Sequence, residues 1–144
     1  MIRRAIEADK MRVLTMCRAF HAASGVPFPF SAAMADALFR MALIEPDRLC
    51  LVFEQGGVAR GVLAAQAGTH HLAPVKVASE IVWWIDPAWR GRAALKMLAA
   101  YEAWAAERGC AYVSMVGLGR YPAPAELYAR RGYEPVELHF LRSL

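Results

Sequence analysis

Residues 80–96 read Glu80-Ile81-Val82-Trp83-Trp84-Ile85-Asp86-Pro87-Ala88-Trp89-Arg90-Gly91-Arg92-Ala93-Ala94-Leu95-Lys96. The stretch changes type in its middle. Its first part closes a run over 75–85 rich in β-branched and aromatic residues, which predicts a long strand. Asp86-Pro87 ends that strand. After Trp89-Arg90-Gly91-Arg92 a helix runs to about Arg108, with Ala94, Met97, Leu98, Tyr101 and Ala105 as its buried stripe and Gly109 as its stop. A helix that opens straight after a strand presents unpaired N–H groups, and with the helix dipole these hold a phosphate. Gly91, Ala93 and Ala94 leave the backbone open to a bulky anion, and Arg90, Arg92 and Lys96 bring positive charge. The same residues also fit an ordinary strand–helix turn with a solvated basic first turn. Basic residues at a helix start are disfavoured by the dipole, which tips the reading toward a bound anion.

Working outward, the elements alternate in type. Residues 2–5 are a short strand candidate. Residues 9–23 have helical periodicity, with Val13, Met16, Cys17 and Phe20 on one face and Gly25 near the end. Pro27 and Pro29 forbid a helix in the stretch Gly25-Val26-Pro27-Phe28-Pro29-Phe30. Ser31 is placed to cap a second helix to about Leu43, and Pro46 marks its exit. Residues 49–54 and 58–67 are strand-like, joined by the hairpin turn Gln55-Gly56-Gly57. Residues 69–74 form a loop before the long strand. Beyond the long helix come a strand over 110–116, a Gly/Pro loop over 117–124, a short helix over 125–131 and a last strand over 134–141. The order β-α-α-β-β-β-α-β-α-β predicts an α/β (α+β) fold. It has a mixed, mostly antiparallel central sheet flanked by helices.

The chain has 144 residues, the usual size of one domain, so 1–144 is read as a single domain. A composition of 58% hydrophobic and 21% charged residues argues against disorder. Arg60 and Gly61 break the longest apolar run, which falls far short of the roughly 18 residues of a membrane span. Glu7, Asp9, Lys10 and Arg12 interrupt any leader-like apolar run, so a cytoplasmic protein with no membrane partner is expected. The net charge of +4 suits an anionic small molecule, but the arginines are scattered, which argues against a nucleic-acid partner. Cys17, Cys50 and Cys110 give neither a disulfide framework nor a zinc spacing, and each lies in an apolar segment as expected of a buried free thiol. No metal is expected.

The segment Arg90-Gly91-Arg92-Ala93-Ala94-Leu95 resembles the coenzyme A-binding motif A of the GNAT superfamily of N-acetyltransferases, with Ala93 and Leu95 where glycines are usual. Residues 125–135, Ala-Glu-Leu-Tyr-Ala-Arg-Arg-Gly-Tyr-Glu-Pro, look like motif B: a short helix carrying a tyrosine, then Gly-aromatic into the next strand. The order of elements is similar to the family's fold over nearly the whole chain. Short stand-alone members, some of them phage-encoded, look most similar.

The resemblance implies acetyl-CoA as co-substrate and a single-step acetyl transfer to an amine, by direct attack in a ternary complex. It implies that Trp84, Ile85 and Asp86 hold the pantetheine arm. Arg90, Gly91, Arg92, Ala93 and Ala94 would hold the pyrophosphate. A backbone N–H near Trp83 or Trp84 would polarise the thioester carbonyl, while at least one of these two indoles belongs to the core, because adjacent strand residues face opposite sides. Tyr128 matches the tyrosine that protonates the departing thiolate in many members. Packing on the sheet is the other role open to it. Glu80, a carboxylate inside an apolar strand, is a candidate general base whose pKa burial would raise, or else a rim glutamate. No cysteine has a catalytic spacing, so no acyl-enzyme is expected. His21, Phe28 and Phe30 are candidates for an acceptor pocket built on the first two helices and the Pro/Phe loop, with core packing the alternative for the phenylalanines. A homodimer is compatible with the resemblance. The competing reading is a non-catalytic acyl-CoA-binding or protein-interaction module that keeps the fold.

Overall fold

The junction at residues 80–96 forms as its pattern dictates. The computed structural model describes residues 1–119 and 123–144. Its elements are β1 (Ile2–Arg4), α1 (Lys10–Ser24), α2 (Ala32–Ile44), β2 (Arg48–Gln55), β3 (Val58–Thr69), β4 (Lys76–Ile85), α3 (Arg92–Glu107), β5 (Tyr112–Ser114) and α4 (Ala125–Arg130). Two 3-10 turns, Glu7–Asp9 and Pro87–Trp89, precede α1 and α3. The sheet runs β1-β2-β3-β4-β5 in space. Every pair is antiparallel except β4–β5, which the α3 crossover makes parallel.

The three long helices, α1, α2 and α3, each bury an apolar stripe. Met97, Leu98, Tyr101, Trp104 and Ala105 of α3 pack on Leu49, Leu51, Phe53, Leu63 and Ala65 on one face of the sheet. On the other face, Val13, Met16 and Cys17 of α1 and Phe39 and Ala42 of α2 meet Cys50, Val52, Val62, Ala64 and Val82. Each large apolar side chain so buried stabilises the fold by about 1.5–3 kcal/mol. Cys17 and Cys50 are buried free thiols, as expected, and Cys110 is half-buried. Ser31 caps α2 by accepting the Met34 N–H at 3.2 Å. The carboxylate of Asp47 accepts from Lys76 Nζ at 2.7 Å and Arg108 Nε at 3.0 Å, tying the start of β4 to the end of α3.

The ladder of β3 and β4 is not regular. Ala64 opposes Val82 and Ala65 opposes Glu80, so Ile81 is an extra residue, a β-bulge. Ile81 and Val82 both pack with the α1/α2 layer, and Trp83 returns to the α3 face.

Two expectations need correction. The strand expected over 110–116 is only three residues long, because side chains take up its backbone groups. Tyr101 OH donates to the Ser114 carbonyl at 2.9 Å, and the Val116 N–H donates to the Glu80 carboxylate at 2.9 Å. The last strand expected over 134–141 does not form. Its apolar alternation, Val136, Leu138 and Phe140, is 84%, 68% and 88% exposed and has no ladder beside it. Alternation predicts a strand only where a neighbour supplies hydrogen bonds and an apolar face. The loop expected over 117–124 lies partly outside the described residues. No helix among the described residues is long and apolar enough to cross a membrane.

Candidate active site

β4 and β5 pair only at Val77–Tyr112, Ala78–Val113 and Ser79–Ser114. Beyond Ser79 the two strands part, and one edge of β4 has no strand beside it among the described residues. The direction of its backbone groups follows from the other edge. Asp86 N–H donates to the Arg60 carbonyl at 2.8 Å, one step past the Gly61–Ile85 pair. Antiparallel ladders alternate bonded and non-bonded pairs, so Trp84 faces β3, whereas Trp83 and Ile85 turn their N–H and C=O groups to the open edge. The Ile85 carbonyl does point that way, since Arg90 Nε reaches it at 2.9 Å.

Glu80 stands where the strands part. It is 5% exposed, and burial raises its carboxyl pKa to about 7, opposed in part by the bond from the Val116 N–H. Tyr128 of α4 donates its hydroxyl to the Val116 carbonyl at 2.9 Å. The two expected catalytic side chains therefore meet on the two polar groups of one backbone residue. The Tyr128 ring stacks on Trp83, with centroids 6.1 Å apart and planes at 28°, and it tilts against Tyr133 at 5.8 Å. Burial first, and the neighbouring Glu80 and Tyr133 next, push the Tyr128 pKa well above that of a free phenol. Its proton stays on across the neutral range. Trp83 Nε1 is buried beside this group and has no hydrogen-bond partner among the described residues.

At the start of α3, Gly91 takes φ 106° and ψ −117°, a conformation closed to other residues. The first N–H groups of the helix follow it. Ala93 is buried against the core and offers only its backbone, while Leu95 is 45% exposed. Arg90 lies over the Trp84 ring, its guanidinium carbon 4.9 Å from the centroid. Arg60, which the sequence did not single out, stacks on Trp89 at 5.6 Å. Asp86 is held from two sides: its carboxylate accepts from Trp84 Nε1 at 3.2 Å and from Arg12 Nη2 at 2.7 Å. The open strand edge, the uncapped helix start and the cationic rim fit a ligand with an amide-bearing arm and phosphates.

The acceptor-pocket candidates also come together. His21 makes edge contacts with Phe28 and Phe30 at 5.8 and 5.7 Å, and its Nε2 is buried without a partner among the described residues. Arg18 lies over the Phe30 ring at 4.8 Å. Phe28 and Pro27 border a cleft with Leu141, the end of the strand expected over 134–141, and with Arg142 and Ser143, which no sequence pattern had marked. His70, His71 and His139 are exposed. No group of His, Cys, Asp and Glu among the described residues could hold a metal ion.

Solved structures share the architecture. A GCN5-related N-acetyltransferase from Ralstonia eutropha is 21% identical, with a TM-score of 0.76 over 99% of this chain and 97% of that one. A predicted acetyltransferase from Clostridium acetobutylicum, solved with acetyl-CoA, is 14% identical, with a TM-score of 0.81 over 99% and 95%. The aminoglycoside 6'-N-acetyltransferase of Acinetobacter haemolyticus is 18% identical, with a TM-score of 0.76 over 100% and 99%. No curated protein matches the sequence. The model of the acetyltransferase (GNAT) family matches residues 14–133, which takes in both helical layers, the parting of β4 from β5, and Tyr128. The chain belongs to the GNAT acetyltransferase family, whose members use acetyl-CoA.

Proposed function

We propose that the chain moves the acetyl group of acetyl-CoA to an amine by direct attack within a ternary complex. The observation that carries this reading is the parting of β4 from β5, with Glu80 and Tyr128 converging on Val116 at its apex. Acetyl-CoA supplies a thioester carbonyl. The open edge at Trp83 and Ile85 binds its pantetheine amides, with Trp84 and Asp86 shaping the turn below. Arg90 and Arg92 and the N–H groups of Gly91, Arg92 and Ala93 take the pyrophosphate; the Ala94 N–H is already donated to the Gly91 carbonyl at 3.0 Å, so Ala94 contributes only its small side chain. The Trp83 N–H is the donor placed to polarise the carbonyl.

Glu80, with its pKa near 7, takes the proton of the attacking amine, directly or through a water. The new C–N bond forms as the C–S bond breaks. Tyr128 exchanges its bond to the Val116 carbonyl for one to the departing sulfur and gives it a proton. Positioning and carbonyl polarisation supply most of the rate gain. His21, Phe28 and Phe30 line the acceptor side and select an amine with an apolar or aromatic body.

Calorimetric titration with acetyl-CoA tests the donor half. Saturable binding with a Kd on the order of micromolar is expected. Gly91→Ala forces a residue with a Cβ into a conformation costing about 1–3 kcal/mol and turns the first N–H groups of α3 aside, so it weakens binding about tenfold or more. Absence of binding by the wild-type chain up to millimolar acetyl-CoA would overturn the reading and leave a non-catalytic interaction module.

A further inference from the structure

Arg12 belongs to α1, in the layer opposite α3, and nothing in the transfer chemistry above employs it. Its guanidinium nevertheless reaches the turn between β4 and α3. Nε donates to the Ala59 carbonyl at 3.0 Å, and Nη2 donates to Asp86 Oδ2 at 2.7 Å. The first contact fixes the direction of the second. Asp86 itself is fully engaged. Its N–H goes to the Arg60 carbonyl, its C=O accepts the Trp89 N–H at 2.8 Å, and Oδ1 accepts from Trp84 Nε1. Trp84 in turn lies under Arg90, the residue that leads into α3. Asp86 is the one carboxylate in the sequence from Ile85 to Lys96, which also carries Arg90, Arg92 and Lys96; Arg60 and Arg90 stack on Trp89 and Trp84 beside it, and its side chain is 27% exposed.

A carboxylate at the rim of a polyanion site works against the ligand unless something cancels it. We propose that Arg12 is a positioning residue of the donor site. It neutralises Asp86 from the far side of the sheet, so that the phosphates of the donor meet only the positive rim. This rests on the acetyl-CoA reading given above. It also assigns Asp86 a role distinct from direct contact: the side chain braces Trp84, and its charge is held in check by Arg12.

The test is acetyl-CoA affinity by calorimetry at one fixed ionic strength, with thermal unfolding followed in parallel. Arg12→Gln is expected to raise Kd about five- to tenfold, the scale of one partly screened charge near a polyanion. Arg12→Lys keeps the charge and should stay within about twofold of wild type. In Arg12→Gln/Asp86→Asn the repulsion is gone, and Kd should return to within about twofold of wild type although the ion pair is still missing. Asp86→Asn alone removes the acid, keeps an oxygen for Trp84 Nε1 and leaves the Arg12 charge uncancelled, so Kd should fall about two- to fivefold, and it reads the same charge if Arg12→Gln does not fold. A purely structural brace predicts the opposite pattern, with affinity following the melting temperature and the double variant as weak as Arg12→Gln. That pattern, wild-type affinity in Arg12→Gln, or binding no tighter than wild type in Asp86→Asn would each overturn the inference while leaving the donor reading intact. Absence of wild-type binding would overturn both.

Discussion

Glu80→Gln is expected to lower kcat/KM for the amine about a hundredfold or more above pH 7 while making the folded chain more stable there. The two effects have opposite signs because they report opposite states of one carboxyl. In the fold, burial raises its pKa from 4.5 to about 7. Between those values the folded chain holds a proton that the unfolded chain has released. The stability contributed by the neutral carboxyl is full below about pH 4.5, falls as pH rises toward 7 and is lost above it. A shift of this size is worth about 3 kcal/mol at most. Glutamine keeps a carbonyl oxygen for the Val116 N–H and has nothing to titrate. Urea unfolding at pH 5 and pH 8 should therefore show the wild type losing stability between the two and the variant losing much less. Wild-type turnover should climb with pH and level off above about 7. A variant that keeps wild-type kcat/KM at pH 8 rules out the base.

Tyr128→Phe is expected to lower kcat about ten- to a hundredfold and to leave the Kd for acetyl-CoA within about twofold. The ring still stacks on Trp83, so the walls of the site persist. The hydroxyl lost is the donor to Val116, and the exposed carbonyl left behind finds water at a cost of about 1 kcal/mol or less. The diagnostic is the leaving group. An acetyl donor with a more acidic thiol needs less help to depart, so the gap between wild type and variant should narrow with it. A gap that is the same for both thiols, or no gap at all, removes the role of acid.

Much of this was legible in residues 80–96 and 125–133, because each rests on a local rule. A β-branched run makes a strand, Asp-Pro ends it, a spaced apolar stripe makes α3, and a carboxylate amid apolar neighbours marks Glu80. What could not be read depends on partners distant in sequence. Arg12 meets Asp86 across 74 positions, and nothing in the periodicity of α1 announces that contact. Val116 matters through its backbone, which no side-chain pattern encodes. Arg60 became visible only once β3 stood beside Trp89. The bulge at Ile81 hides in a strand that reads as regular. The alternation over 136–140 misled for the converse reason, because a pattern of side chains does not supply the edge it needs.

The same bulge returns Trp83 to the face of the sheet that already carries Glu80. Glu80, Trp83 and Tyr128 belong to the side that carries α3, and the candidate acceptor residues belong to the layer of α1 and α2. If the proposed roles hold, specificity and chemistry reside on opposite faces of the sheet and can be exchanged separately. A graft of residues 10–44 from a relative should change which amine is accepted and spare the donor site, on one condition: the incoming helix must bring an arginine to position 12, or the host must give up the acid at 86.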